Sequence, residues 1–163
     1  MIVLVGFMGA GKTTVGRLLA AKLGVPFADS DHVIEDRAGK PIRQIFTDDG
    51  EPAFRQLEHE VIADLLAENA DIVLALGGGA AVHDGTRANL ARSEVPVVYL
   101  KVSYAEAMRR VGSDQGRPML ARPDVAQLYA ERTPRYARAA TLAIDADGKT
   151  PDELALDILA RLR

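Results

Sequence analysis

A phosphate-binding loop is the first feature of the sequence that could carry chemistry. Residues 6–13 read GFMGAGKT, which has the spacing Gly-x-x-x-x-Gly-Lys-Thr. Glycines let backbone N–H groups surround an anion, and a helix that begins here presents free N–H groups to phosphate. Lys12 would reach the β and γ phosphates of a nucleoside triphosphate, and the Thr13 hydroxyl would bind Mg²⁺. The predicted nucleotide-binding residues of the loop are Gly9, Ala10, Gly11, Lys12, Thr13 and Thr14.

Two carboxylates follow the second predicted strand. Many proteins with this loop place an acid after a neighbouring buried strand to support Mg²⁺, but the strand over residues 72–76 ends in glycine. We therefore predict that Asp29 supports the metal through water, because Mg²⁺ keeps several water ligands. Asp31 would point differently and could accept a proton from a substrate hydroxyl. The alternative is that Asp31 only caps a helix beginning at His32.

Three consecutive glycines, residues 77–79, end the strand that should lie beside the loop. Because they carry no side chains, a ligand could approach the backbone closely there. Arg55 lies on a predicted helix, with Glu51 four residues earlier and Glu58 three residues later on the same face. This spacing predicts either an arginine held by carboxylates for anion binding or a solvated row of ion pairs.

Further arginines occur where phosphoryl transfer would need positive charge. Arg117 lies in the Gly- and Pro-rich segment 112–123, which we predict to be a lid closing over the γ-phosphate. A solvated loop arginine is the alternative. Arg109 and Arg110 end a helix, where one guanidinium could stack on adenine or simply interact with the helix dipole.

A second arginine cluster follows the predicted lid, and its spacing leaves open which member faces the pocket. Its members are Arg132, Arg135 and Arg138. The histidines have no spacing typical of a metal site, and we predict that they lie on the surface. They are His32, His59 and His83.

Alternating strands and helices must position these residues. Apolar runs predict strands over 2–5, 25–28, 72–76, 97–102 and 142–144, with helical periodicity between them. The clearest helix has an apolar stripe from Phe54 to Leu66, and the last helix starts at residues 150–153, TPDE, which is typical of a helix N-terminus. This alternation indicates an α/β fold with a parallel sheet covered on both faces. The polar stretch 29–50 predicts short helices at the edge where such folds bind ligands.

Composition limits the class of protein. The 163 residues suit one domain, and the absence of cysteine excludes disulfides and cysteine metal sites. A net charge of −3 argues against binding nucleic acid through a basic surface. No apolar run approaches the roughly 20 residues that cross a bilayer, and no signal peptide is visible. We therefore expect a cytoplasmic protein without a nucleic-acid or membrane partner.

Taken together, the motifs resemble those of the shikimate kinase family. The resemblance extends over nearly the full chain and rests on GFMGAGKT at 6–13, DSD at 29–31, FR at 54–55, GGG at 77–79, GRP at 116–118 and RTPRY at 132–136. It implies a P-loop fold like that of nucleoside monophosphate kinases, a three-layer sandwich around a five-stranded parallel sheet. The implied organisation is a single kinase domain over residues 1–163, with a substrate-binding region near 31–61 and a lid near 112–124.

The resemblance also implies an activity, the transfer of the γ-phosphoryl group of ATP to the 3-hydroxyl of shikimate on the way to chorismate and the aromatic amino acids. Mg²⁺ is the implied cofactor, ATP and shikimate are the implied partners, and a monomer is expected. The implied catalytic residues are Asp31, Lys12 and Arg117. The implied substrate-binding residues are Asp31, Arg55, Gly78, Gly79, Arg132, Phe46 and Phe54. Arg110 and Arg117 would also contact the nucleotide, and Thr13 and Asp29 (through water) would support the metal.

Two departures and three alternatives accompany this interpretation. The stretch from Arg117 to Arg132 is a few residues shorter than is usual in the family, and a nucleoside monophosphate kinase would need a base-reading pocket that no motif indicates. Arginine stands at 135 where the family commonly has leucine in Arg-x-Pro-Leu-Tyr, which makes Arg135 an alternative to Arg132. A gluconate kinase would also need carboxylate recognition, but it does not predict the glycine triplet together with Phe-Arg. A GTPase switch would need Asn-Lys-x-Asp to read guanine, and neither Asn69 nor Asn89 begins that motif.

Overall fold

A five-stranded parallel sheet forms the centre of the molecule. The computed structural model describes residues 1–112 and 124–162. The strands are β1 (Ile2–Val5), β2 (Phe27–Asp29), β3 (Val73–Ala75), β4 (Val97–Lys101) and β5 (Leu142–Asp145). Their order across the sheet is β2-β3-β1-β4-β5, and all neighbours are parallel. Because the chain leaves β1 and β3 towards opposite edges of the sheet, a ligand crevice is expected between the carboxyl ends of these two strands.

Helices cover the sheet and give it a three-layer, P-loop α/β fold. Within the described residues they are α1 (Lys12–Leu23), α2 (Ser30–Ala38), α3 (Ile42–Glu68), α4 (Asp84–Ser93), α5 (Tyr104–Val111), α6 (Val125–Ala139) and α7 (Pro151–Arg161), with a 3₁₀ turn at Ala80–Val82. Helix α1 packs with α7, and α4 packs with α3 and α6. The predicted start of α7 is confirmed, since the Thr150 hydroxyl accepts from the Glu153 N–H while the Glu153 carboxylate accepts from the Thr150 N–H. The predicted α/β fold is therefore confirmed.

The longest helix differs most from its prediction. Its apolar stripe predicts a helix from Phe54, but α3 begins at Ile42 and is kinked at Gly50, where φ is 84° and ψ is 167°. Glycine adopts this conformation without a steric penalty, and Pro52 then lies in the first turn after the kink, where its missing N–H costs little. The kink directs the first part of α3 against α2. This region has its own small core, which consists of Ile34, Ile45, Phe54 and Val61.

The main core surrounds the sheet on both faces. Four consecutive residues of β4 are buried, from Val97 to Leu100, so side chains on both faces of the strand are covered. Burying each large apolar side chain contributes about 1.5–3 kcal/mol, which gives the loops at the sheet edge a rigid base. Among the described helices, none is long and apolar enough to cross a membrane.

Candidate active site

One cavity of about 740 Å³ lies at the carboxyl ends of β1, β2 and β3. It brings together every described residue that was predicted from the sequence to bind nucleotide, metal or substrate. These are Gly9, Ala10, Gly11, Lys12, Thr13, Thr14, Asp29, Asp31, Phe46, Phe54, Arg55, Gly78, Gly79, Arg110 and Arg132. Arg117 lies outside the described residues, as does the predicted lid from 113 to 123. Residues from six separate parts of the chain thus share one cleft.

The phosphate loop connects β1 to α1 and has a backbone that only glycine can follow. Gly9 has φ 79°, and a Cβ there would lie 2.8 Å from the carbonyl oxygen of Ala107. The Lys12 ammonium donates to the carbonyl oxygens of Gly6, at 2.8 Å, and Phe7, at 3.1 Å. The lysine side chain therefore lies across the phosphate loop, and its ammonium group is close to the N-terminus of α1.

Asp29 joins the phosphate loop to helix α2. One carboxylate oxygen accepts from the Thr13 hydroxyl at 2.9 Å, and the other accepts from the Asp31 N–H at 3.0 Å. Asp29 is thus the N-cap of α2, and the alternative of Asp31 as a cap before His32 is wrong. The described residues contain no group of three or more acidic, histidine or cysteine side chains that could hold a metal. One hydroxyl and one carboxylate still fit Mg²⁺, which takes its other ligands from phosphate and water.

Asp31 and Glu58 bring two carboxylates over the first glycine of the triplet. A Cβ on Gly77 would lie 2.6 Å from Asp31 Oδ1 and 3.2 Å from Glu58 Oε2. Burial raises the pKa of Glu58, the Asp31 charge raises it further, and Arg55 opposes both effects. Ser30, which sequence reasoning did not single out, accepts from the Gly77 N–H through its hydroxyl at 3.0 Å. The start of α2 is thereby tied to the end of β3.

Arg55 is held by carboxylates inside the cavity rather than in a solvated row. Its Nη1 donates to Glu58 Oε1 at 2.8 Å, and its Nη2 lies 3.5 Å from Glu51 Oε1. Glu58 is only 2% exposed, so the alternative of a solvated row is wrong. The guanidinium also lies 5.0 Å from the Phe54 ring centroid and against Gly79, where a Cβ would overlap it. The absence of a side chain at Gly79 is what allows this placement.

Helix α6 supplies a second guanidinium, which is more deeply buried than that of Arg55. Arg132 is 6% exposed and lines the cavity, and burial lowers its pKa, with nearby Arg55 adding to this effect. Arg135 does not line this cavity but an adjoining recess of about 360 Å³, which Arg55 and Arg132 also line, and its Nη1 donates to the Val82 carbonyl oxygen at 3.4 Å. Arg138 is exposed. The geometry therefore places Arg132, and not Arg135, in the cavity with Arg55.

At the other end of the cavity, Arg110 is fixed beside the phosphate loop. Its guanidinium donates to Glu106 at 2.7 Å, to the Gly9 carbonyl at 3.3 Å and to the Ala146 carbonyl at 3.1 Å. Arg109 donates to the same carboxylate, but its side chain is 72% exposed. Together the hydrogen bonds from Arg109 and Arg110 lower the pKa of Glu106 to about 2. Of the two arginines, Arg110 is the one whose guanidinium is hydrogen-bonded to the phosphate loop.

Comparison with known proteins decides the family. The family model described as "SKI: Shikimate kinase" matches residues 8–163. The chain belongs to the shikimate kinase family. It is 51% identical to a shikimate kinase of Thermobifida fusca, over 95% of this chain and 90% of that protein. It is 48% identical to one of Mycobacterium avium, over 98% of this chain and 92% of that protein.

Solved structures agree with this assignment. A shikimate kinase from Acinetobacter baumannii in complex with shikimate has a TM-score of 0.91 and 39% identity, over 99% of this chain and 91% of that one. A gluconokinase from Sinorhizobium meliloti is more distant, with a TM-score of 0.62 and 26% identity over 99% of this chain and 91% of that one. The chain is thus an ATP-dependent kinase of the shikimate kinase family.

Two features of this shikimate kinase family member escaped prediction from sequence. Lys149, Pro151 and Leu154 line the nucleotide end of the cavity, although residues 150–153 show only the pattern of a helix start. His59 and His83 are partly buried and stack with ring centroids 4.7 Å apart, so the prediction of surface histidines is wrong for this pair. No local sequence pattern predicts that Lys149, Pro151 and Leu154 line the cavity or that the two histidines meet. Both arrangements depend on how distant segments of the chain pack together.

Proposed function

We propose that the chain transfers the γ-phosphoryl group of ATP to the 3-hydroxyl of shikimate, giving shikimate 3-phosphate and ADP. One observation supports the proposal: the phosphate loop, the Asp31 carboxylate and the guanidiniums of Arg55 and Arg132 all line one cavity. Shikimate combines a single carboxylate with several hydroxyls, so it needs cationic and polar partners on the same side of a nucleotide site. The family membership described above supports the same activity.

In this proposal the carboxylate of shikimate binds between Arg55 and Arg132. The two side chains come from different helices, α3 and α6, and both are largely withdrawn from water. Charge-assisted hydrogen bonds to a carboxylate contribute about 1.5–3 kcal/mol each. The backbone of Gly78 and Gly79 contacts the polar groups of the ring. Phe46 and Phe54, whose rings lie 4.7 Å apart, form the apolar wall.

Asp31 acts as the general base for the acceptor hydroxyl. As the hydroxyl oxygen attacks the γ-phosphorus, its proton passes to the Asp31 carboxylate, while the bond from the γ-phosphorus to the bridging oxygen breaks and ADP leaves. Glu58 is buried and accepts a hydrogen bond from Arg55, so it serves as a structural partner of that guanidinium. Asp31 is less buried than Glu58. It also lies two residues after Asp29, which accepts a hydrogen bond from the phosphate loop.

The nucleotide is held by the loop from Gly9 to Thr14. Lys12 exchanges its carbonyl partners for the β and γ phosphates, because phosphate oxygens carry more charge than carbonyl oxygens. Thr13 would bind Mg²⁺ directly, and Asp29 would support it through water. Bound Mg²⁺ neutralises charge that develops on the phosphates. Arg110 lies against adenine. The contact predicted between Arg117 and the transferring group stays a prediction, because Arg117 lies outside the described residues.

The test is an ADP-release assay on the purified protein with ATP and Mg²⁺. Four parallel reactions contain shikimate, gluconate, AMP or no acceptor. We expect turnover with shikimate well above the reaction without acceptor. Turnover with gluconate or AMP but not with shikimate would contradict the proposal. A monomeric state and a cytoplasmic location stay predictions, and sedimentation of the same preparation tests the first.

A further inference from the structure

Tyr136 is a buried tyrosine on α6, one helical turn beyond Arg132, and it reaches the glycine triplet from the protein interior. Its side chain is 0% exposed, and its hydroxyl donates to the carbonyl oxygen of Gly78 at 2.5 Å. Burial raises the pKa of Tyr136, so the hydroxyl keeps its proton and remains a donor. A side chain from one helix thus holds the backbone at the end of β3.

Arg132 lies beside the same hydroxyl. Burial lowers the pKa of Arg132, and Tyr136 opposes this effect. The position of a Cβ on Gly78 lies 3.6 Å from Arg132 Nη1 and 3.7 Å from the Tyr136 hydroxyl, so the three groups meet at one point. Within the described ranges, no carboxylate forms a salt bridge with Arg132, although the charge of Glu58 raises its pKa. The Tyr136 hydroxyl is therefore a polar group that lies beside Arg132 at the glycine triplet.

The Gly78 carbonyl belongs to the peptide plane that also carries the Gly79 N–H. In a trans peptide these two groups point in opposite directions, so holding the carbonyl fixes where the N–H points. The backbone N–H groups of Gly78 and Gly79 have no acceptor among residues 1–112 and 124–162. Both glycines line the cavity, and glycine backbone is otherwise free to reorient.

We propose that Tyr136 is a positioning residue for the acceptor: it fixes the Gly78–Gly79 peptide beside the Arg132 guanidinium, in one arrangement that fits shikimate. This inference rests on the proposed function. Preorganised donors raise affinity because they need no ordering when the ligand binds. Tyr136 touches neither substrate nor nucleotide, so its effect falls on shikimate affinity rather than on ATP affinity or on the chemical step.

A purely structural tyrosine would behave differently, and the same helix offers a matched control. The hydroxyl of Tyr129 donates to the Val102 carbonyl oxygen at 2.7 Å, away from the glycine triplet. Tyr136→Phe and Tyr129→Phe each remove one hydroxyl that donates to a backbone carbonyl. If both tyrosines only support the fold, the two variants should lose thermal stability and leave the KM for shikimate alone.

The experiment measures KM for shikimate, KM for ATP, kcat and Tm for the parent and both variants. We expect Tyr136→Phe to raise the KM for shikimate about 5- to 30-fold, with kcat and the KM for ATP changed less than about threefold. Tyr129→Phe should leave both KM values within about twofold of the parent. A KM for shikimate within twofold of the parent in Tyr136→Phe, or equal rises in both variants, would overturn the inference.

A second variant separates the hydrogen bond from packing. Tyr136→p-aminophenylalanine keeps the ring and an N–H donor at the same place, and it should restore the KM for shikimate to within about threefold of the parent. Failure of this rescue in a protein of parental Tm would also count against the inference. The parental reaction with shikimate tests the proposed function by itself, so the two failures are distinguishable.

Discussion

Replacing Gly79 by alanine should displace Arg55 while leaving the backbone intact. A Cβ on Gly79 would overlap the Arg55 guanidinium, whose atoms are its three nearest neighbours. The backbone at Gly79 has φ −93° and ψ −12°, which alanine adopts without strain. Movement of the flexible end of Arg55 therefore resolves the conflict, rather than movement of the chain.

The free-energy cost should fall on shikimate binding and not on folding. A hydrogen bond to a charged group contributes about 1.5–3 kcal/mol, which corresponds to a KM for shikimate raised about 10- to 150-fold. Alanine at a compatible glycine position stabilises a protein by about 0.4–1 kcal/mol through the unfolded chain. We therefore expect Tm within about 4 °C of the parent and an unchanged KM for ATP.

A double-mutant cycle provides the measurement. Steady-state ADP release is followed for the parent, Gly79→Ala, Arg55→Ala and the double variant. Once Arg55 is absent, adding Gly79→Ala should change the KM for shikimate by less than about twofold, because the group it displaces is gone. Equal effects of Gly79→Ala with and without Arg55 would refute the reasoning.

Three further predictions follow from the same site. Gly77→Ala would place a Cβ 2.6 Å from Asp31 Oδ1 and should lower kcat about 10- to 100-fold; a change confined to KM would contradict the base assigned to Asp31. Thr13→Val removes the donor to Asp29 and should raise the Mg²⁺ concentration for half-maximal rate about 10-fold or more, so an unchanged Mg²⁺ dependence would count against the metal site. The pKa of Glu106 is lowered from 4.5 to about 2, so its contribution to stability is present above pH 4.5 and is lost as pH falls towards 2. The Tm difference between the parent and Glu106→Gln should shrink over that interval, and a difference equal at pH 7 and pH 3 would argue against it.

Short spacings explain why much of the site could be predicted from sequence. The loop from Gly9 to Thr14 and the pair Asp29 and Asp31 lie within single turns of chain, so their geometry is local. Arg55 and Glu58 are three residues apart on one helix, which places them side by side wherever the helix packs. Family resemblance added the acceptor, which none of these local patterns specifies.

The choice between Arg132 and Arg135 could not be made in the same way. The two residues are three apart on α6, and which one faces the cavity depends on how that helix is rotated against the sheet. Ring contacts such as that between Tyr99 and Tyr136, whose centroids lie 5.5 Å apart, fix this rotation. The position of Lys149 could not be predicted for a similar reason. It lines the nucleotide end of the cavity because β5, which precedes it, pairs at the edge of the sheet.

The double use of Asp29 has a consequence for redesign. One carboxylate oxygen serves Thr13 and the other starts α2, so a substitution in α2 made to accept a new substrate would also disturb the nucleotide half. Among residues 1–112 and 124–162, no hydrogen bond links Arg55 or Arg132 to the phosphate loop in this way. Substitutions in α3 and α6 could therefore change the acceptor specificity while ATP remains the phosphoryl donor. Changes at the start of α2 would need matching changes in the nucleotide-binding loop.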